Sequence, residues 1–161
     1  MNSTDTVKDL LQLAISAEKR AQAFYAELAK MFRNAPDVSA TWQEMMNDEA
    51  LHESKLNYTL MRLSEEELGA PAPEVLQELR RTLPGNSLED KLRSIRNLDD
   101  AYEIAYWLEH IEINTAFELI LSRYMKSEER IDFIRDLIDE HLGRLHRFGD
   151  MEWRQNIPAE K

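Results

Sequence analysis

Apolar residues recur along this chain with the alternating spacing of helices that hide one face. Leu11, Ala14, Glu18, Ala21, Tyr25, Leu28 and Phe32 follow at intervals of 3, 4, 3, 4, 3 and 4. Val38, Trp42, Met45, Glu49, His52 and Leu56 follow at 4, 3, 4, 3 and 4. Such stripes predict amphipathic helices with the striped face buried. The first helix is expected over about residues 4–31 and the second over about 37–63, broken by Asn34-Ala-Pro-Asp37. A long connector over 69–98 follows, with a short helix expected over Glu74 to Arg81, a turn at Pro84-Gly85-Asn86 and a helix cap at Ser87. Helix 3 is expected over about 99–124, and helix 4 over about 127–148 after a break at Lys126-Ser127. The tail from Gly149 reads as short and irregular.

Two long helices, a crossover of about 30 residues and two more long helices predict an all-α four-helix bundle. It occupies residues 1–150, with 151–161 as the tail. The two halves resemble each other. Leu13 to Glu18 parallels Ile104 to Glu109, and Trp42 to Leu56 lines up without gaps on Ile134 to Phe148, apolar upon apolar. This pattern predicts an internal two-helix duplication.

Composition agrees with helices: of 161 residues only 4 are Gly and 5 are Pro. The absence of cysteine excludes a disulfide framework, a thiolate zinc site and an iron–sulfur cluster within these residues. A net charge of −11 argues against a nucleic-acid partner held through a broad basic surface. No apolar run approaches the roughly 20 residues of a membrane span. A cytoplasmic protein without a membrane partner is the expectation.

The anomaly in the stripes is ionisable. Glu18, Glu49 and His52 occupy positions meant for apolar side chains, and a third stripe with Tyr102, Ala105 and Ala116 holds Glu109 and Glu112. Burying a bare carboxylate is costly unless something pairs with it, and facing helices of a bundle commonly pair such groups through a metal. Glu49-x-x-His52 and Glu109-x-x-Glu112 each place two groups one turn apart on one face. Carboxylates with imidazole suit iron, manganese or zinc. Tyr25 and Tyr102 stand seven residues after Glu18 and seven before Glu109 and read as packing residues with a hydrogen-bonding hydroxyl. His110 and His146 fall off the stripes and read as solvated. Trp107, beside its stripe, is offered as a subunit-interface residue and suggests a homodimer.

With Ala14-x-x-x-Glu18-x-x-Ala21-x-x-Phe24-Tyr25-x-x-Leu28, Asp48-Glu49-x-x-His52-x-x-x-Leu56 and Ala105-x-x-x-Glu109-x-x-Glu112 in view, the chain resembles the rubrerythrin-like branch of the ferritin-like, di-iron carboxylate superfamily. The resemblance covers nearly all of residues 7–148. It implies a di-iron centre, with Glu18, Glu49 and His52 as ligands of one iron and Glu109 of the other. It also implies a redox-responsive carboxylate at Glu112 and a tyrosine at Tyr25 that hydrogen-bonds a ligand. Oxidoreductase chemistry on peroxide or oxygen is implied as well. Rubrerythrins proper also carry a cysteine-ligated iron domain; without cysteine, electrons must come from an external donor.

Helix 4 departs from that pattern. Where the resemblance calls for a second Glu-x-x-His, the gapless alignment puts His141 and Arg144. Shifting the register does not repair this, because Gly143 follows Glu140 and Leu142 follows Asp139 at the required spacing. His141 reads as a metal ligand or as a core histidine satisfied by a carboxylate. Arg144, always charged, is expected among Glu18, Glu49, Glu109 and Glu112, replacing the second cation through carboxylate pairs. At most one metal would then remain. Three functions stay open: a metal-dependent oxidoreductase, a non-catalytic scaffold with one structural ion or none, and iron handling in a larger assembly.

Overall fold

The computed structural model describes residues 5–82, 87–113, 120, 123–124 and 127–161. Helix α1 (Val7–Met31) starts later than the expected bound near residue 4, because Thr6 caps it. The Thr6 N–H donates to the Asp9 carboxylate at 2.9 Å and the Asp9 N–H donates to the Thr6 hydroxyl at 3.2 Å. This reciprocal cap satisfies two N–H groups that the first turn would leave bare. Helix α2 (Pro36–Arg62) begins on a proline, whose missing N–H is not needed there.

Among the described residues the crossover holds four short helices: α3 (Glu65–Gly69), α4 (Glu74–Gln77), α5 (Leu79–Thr82) and α6 (Ser87–Ser94). The single helix expected over 74–81 is thus two short pieces joined at Glu78. The third long helix opens as α7 (Leu98–Trp107), capped by the Asn97 side chain, which accepts from the Asp100 N–H at 3.0 Å. It then changes to a π-helix, π1 (Leu108–Ile113). Its expected continuation to residue 124 falls partly outside the described residues. The fourth runs as α8 (Ser127–Asp136), a second π-helix, π2 (Leu137–Leu142), and α9 (Gly143–Gly149). Among the described residues there is no strand, and no helix is long and apolar enough to cross a membrane. The architecture is an all-α bundle of long helices with the short-helix crossover between the second and the third.

The tail carries a 3₁₀ turn (Arg154–Asn156) and then runs along the start of α7. The Leu98 N–H donates to Ile157 O at 2.9 Å and the Ala159 N–H to Arg96 O at 2.9 Å. Arg154 donates to the carbonyls of Phe148 and Gly149 at 2.7 and 2.8 Å, satisfying the open end of α9, and pairs with Asp99 at 2.9 Å. The tail therefore fastens the end of helix 4 to the start of helix 3. At Trp107, offered as an interface residue, the Lys91 ammonium sits 3.3 Å from the ring centroid.

The core divides into two apolar clusters. One gathers Phe24, Tyr25, Leu28, Trp42, Met45, Leu98, Leu108, Leu145 and Phe148; the other gathers Val7, Leu10, Leu11, Ala14, Leu56, Leu76 and Ile120. On α1 they meet across Glu18, on α2 across Glu49 and His52, and on the third helix just after Leu108. A polar layer thus lies between two apolar halves. Trp42 anchors one half, its ring 5.8 Å from Tyr25 and 4.7 Å from Phe148. Trp42→Ala is expected to cost about 3–5 kcal/mol in urea unfolding. Tyr58→Ala, on the 62 % exposed side of α2, should stay within about 0.5 kcal/mol of the parent. Equal losses at both positions would show that Trp42 is not a core anchor.

Candidate metal centre

Each long helix contributes to the polar layer: Glu18 from α1, Glu49 and His52 from α2, Glu109 from π1 and His141 from π2. None is more than 4 % exposed. Glu18, Glu49 and His52 reach the interior from regular α-helix, because their spacing keeps them on the stripe. Glu109 and His141 sit in π-helix, where hydrogen bonds skip five residues rather than four, a geometry found often at functional sites.

His141 lies at the centre of the layer. Its Nε2 is 2.8 Å from Glu109 Oε2 and 2.9 Å from Glu49 Oε1. One N–H can point at only one oxygen, and it points at Glu109, so Glu49 Oε1 gains charge attraction without a hydrogen bond. The Tyr25 hydroxyl donates to the other Glu109 oxygen. His52 turns its Nδ1 inward, 3.1 Å from Glu49 Oε2 and 3.8 Å from Glu18 Oε2. The two imidazoles meet edge to face at 5.0 Å.

The electrostatics follow from burial. Burial, then the Glu49 charge and a hydrogen bond to it, hold the Glu18 carboxyl well above the ordinary carboxylate range. Burial and the Glu49 charge also raise Glu109. For Glu49 burial pulls upward too, yet His141, His52 and the proton shared by Glu18 outweigh it and leave it well below its usual value. Burial would lower His141, but Glu109, Glu49 and Asp48 prevail and hold it well above its usual value. Burial raises Tyr25, so its hydroxyl keeps its proton. These shifts favour a proton on His141 and on Glu18 and a charge on Glu49.

Arg144 does not enter this layer. Its side chain is 23 % exposed, and its guanidinium pairs with Asp48, with Glu44 at 3.1 Å and with Glu140 at 3.9 Å. The cation among the buried carboxylates is His141 instead. The reason lies in helix 4: after His141 the buried positions are Leu145 and Phe148, which leaves Arg144 on the margin facing α2. Arg144 still bears on the centre at one remove. Asp48, which it holds, accepts from His141 Nδ1 at 3.0 Å. Tyr102 is not part of the centre either. Arg154 lies 4.4 Å over its ring, and its hydroxyl lies so near Gly149 that a Cβ there would come within 2.8 Å. The Glu112 side chain lies outside the described residues. Asp48 is the partner that sequence reasoning missed; its signal was its place beside Glu49, within reach of a neighbouring helix.

The residues present fit a transition-metal ion. Glu18 Oε2 and Glu49 Oε1 are buried without hydrogen-bond partners. One donor atom each from Glu49, His52 and His141 lie within 4.8 Å of one another. Asp48 on Nδ1 leaves His141 Nε2 as the inward donor, the carboxylate–histidine arrangement that orients metal ligands. An ion held there would displace the Nε2 proton of His141.

Two measurements test this balance. Without metal, the His141 contribution to stability is fully present below 6.5 and is lost as pH rises through its raised folded value. Glu18 and Glu109, also raised, act in the same sense; Glu49 acts oppositely, its contribution present above 4.5 and lost as pH falls towards its lowered value. Chelated protein should therefore lose stability from neutral to alkaline pH in urea titrations, and His141→Gln should remove most of that slope. A flat wild-type profile would show that His141 is not charged in the fold. Asp48→Ala should weaken ferrous binding about 10- to 100-fold in anaerobic competition with a chelator; unchanged affinity would mean that Asp48 does not orient His141.

Comparison with known proteins gives the fold and the family. The crystal structure of a Thermotoga maritima protein described as ferritin-like and diiron-carboxylate, at 2.30 Å resolution, superposes with a TM-score of 0.55 at 17 % identity, covering 96 % of this chain and 99 % of that one. At that identity the likeness is one of fold. No curated protein matches the chain in sequence at a significant level. The Rubrerythrin family model matches residues 9–141, which include Glu18, Glu49, His52, Glu109 and His141; the chain belongs to the rubrerythrin family.

Proposed function

We propose that this protein holds a single non-haem iron ion at Glu49, His52 and His141 and uses it in oxidoreductase chemistry on peroxide or oxygen. The observation behind this reading is the donor set. Two imidazoles and one carboxylate converge within 4.8 Å, and this combination leaves coordination positions open on ferrous iron. Glu18 and Glu109 stand beside it as further carboxylates. A pair of irons has less support: helix 4 offers His141 in place of a glutamate, and Arg144 is engaged by Asp48 and Glu44.

Iron would supply the one-electron change between its ferrous and ferric states. The chain supplies the rest. Burial restricts access to molecules as small as dioxygen or hydrogen peroxide. The Tyr25 hydroxyl, held protonated, donates to Glu109 and keeps a proton next to the centre. Glu18 keeps a second proton beside Glu49. Electrons come from an external donor, since these residues include no cysteine to bind a thiolate iron centre. A homodimer belongs to the same proposal; Leu51, Tyr58 and Met61 on the outer side of α2 are exposed apolar residues available to it.

A non-catalytic scaffold is the second reading. It is favoured by one observation: His141, placed between Glu49 and Glu109, already ties the buried carboxylates together without metal. The experiment loads the protein anaerobically with ferrous ion. The expected result is one iron per chain, a magnetically isolated ferric signal after oxidation, and peroxide removal with a supplied reductant that is lost in His52→Ala. Two irons per chain with an oxo-bridged absorption band would overturn the single-ion reading. Bound iron without peroxide turnover would favour the scaffold.

A further inference from the structure

Away from the buried layer, the two histidines that lie off the apolar stripes meet at the surface. His110 belongs to π1 and His146 to α9. Their Nε2 atoms are 3.2 Å apart, with ring centroids 5.2 Å apart and planes inclined by 25°. His110 is oriented by its other nitrogen. Its Nδ1 is 3.0 Å from the Tyr106 carbonyl oxygen, which can only accept, so Nδ1 carries the hydrogen and Nε2 presents its lone pair. Tyr106 also stacks on the His110 ring, centroids 4.0 Å apart and planes 19° apart, and lies 6.3 Å from the His146 ring. A backbone carbonyl on one imidazole nitrogen is a usual way to aim the other at a metal.

The separation suits a shared ion. Two imidazole nitrogens, each about 2.0–2.1 Å from one ion at a tetrahedral angle, stand about 3.3 Å apart. We propose that His110 and His146 form a second metal site, at the surface, that takes a divalent transition ion of the imidazole-seeking kind, represented by Zn²⁺. Water completes its coordination. The pair offers imidazole alone, whereas the buried layer offers three carboxylates with its two imidazoles. The two sites therefore differ in metal preference. A bound ion links π1 to α9 and so fastens helix 3 to helix 4 at a point the tail does not reach. This inference does not depend on the iron reading of the buried centre.

The test is a Zn²⁺ titration of wild type, His146→Ala and His110→Ala by equilibrium dialysis, with thermal unfolding followed at each zinc level. Both variants should bind one Zn²⁺ per chain fewer than wild type and should lose the zinc-dependent rise in Tm that this site gives. In His52→Ala, where the buried donor set is broken, the surface equivalent should persist. Equal zinc binding by wild type and His146→Ala overturns the proposal, as does a loss confined to one of the two surface variants. Disappearance of the equivalent in folded His52→Ala would assign it to the buried layer and overturn the proposal as well. The comparison of wild type with His146→Ala stands whether or not His52→Ala folds, because His146 is exposed and anchors no core.

Discussion

Three glutamates enclosed between apolar clusters cannot all stay ionised unless positive charge is buried with them. That requirement governs the interior of this bundle. A carboxylate taken from water without a partner carries a desolvation penalty of several kcal/mol. Here the penalty is met by an imidazolium at His141, a proton held at Glu18, and the hydroxyl of Tyr25 on Glu109. The same groups are the donors a metal would engage. The metal-free fold and a metal-binding fold are thus two ways of neutralising one layer, by protons or by a cation.

The two halves of the bundle meet this requirement with different backbones. The first two helices deliver Glu18, Glu49 and His52 from uninterrupted α-helix. The last two deliver Glu109 and His141 from π segments. A π segment changes the helical register locally without a proline, and it redirects the side chains that follow. In helix 4 this goes with a change of residues: His141 is drawn in, Leu145 and Phe148 fill the buried places beyond it, and Arg144 is left at the rim. The site that the four helices enclose is therefore asymmetric.

Arg144 at the rim is a physically cheaper arrangement than Arg144 in the centre. A guanidinium buried among carboxylates would lose its water on every side. At the rim it keeps partial exposure and gains Glu44 and Asp48. Through Asp48 it helps fix the Nδ1 hydrogen of His141 and hence which nitrogen faces the buried carboxylates. Helix 4 thus carries a relay from a cation at the rim, through Asp48, to a buried imidazole.

Local periodicity determined much of this protein. The alternating three- and four-residue intervals placed α1 and α2 and put Glu18, Glu49, His52 and Glu109 on buried faces. This worked because burial along a regular helix is set by spacing within a few turns. The long crossover and the bundle followed from the order of the helices. Other features were settled only by tertiary contacts. The tail docks because Arg154 and the strand-like run after it find partners on α7, nearly 60 residues earlier in the chain. Tyr102 turns to that tail rather than to the centre. The choice between His141 and Arg144 as the buried cation depends on the π register and on Asp48 of a neighbouring helix. Spacing within one helix carries no record of either, because both arise from the way separate helices press against each other.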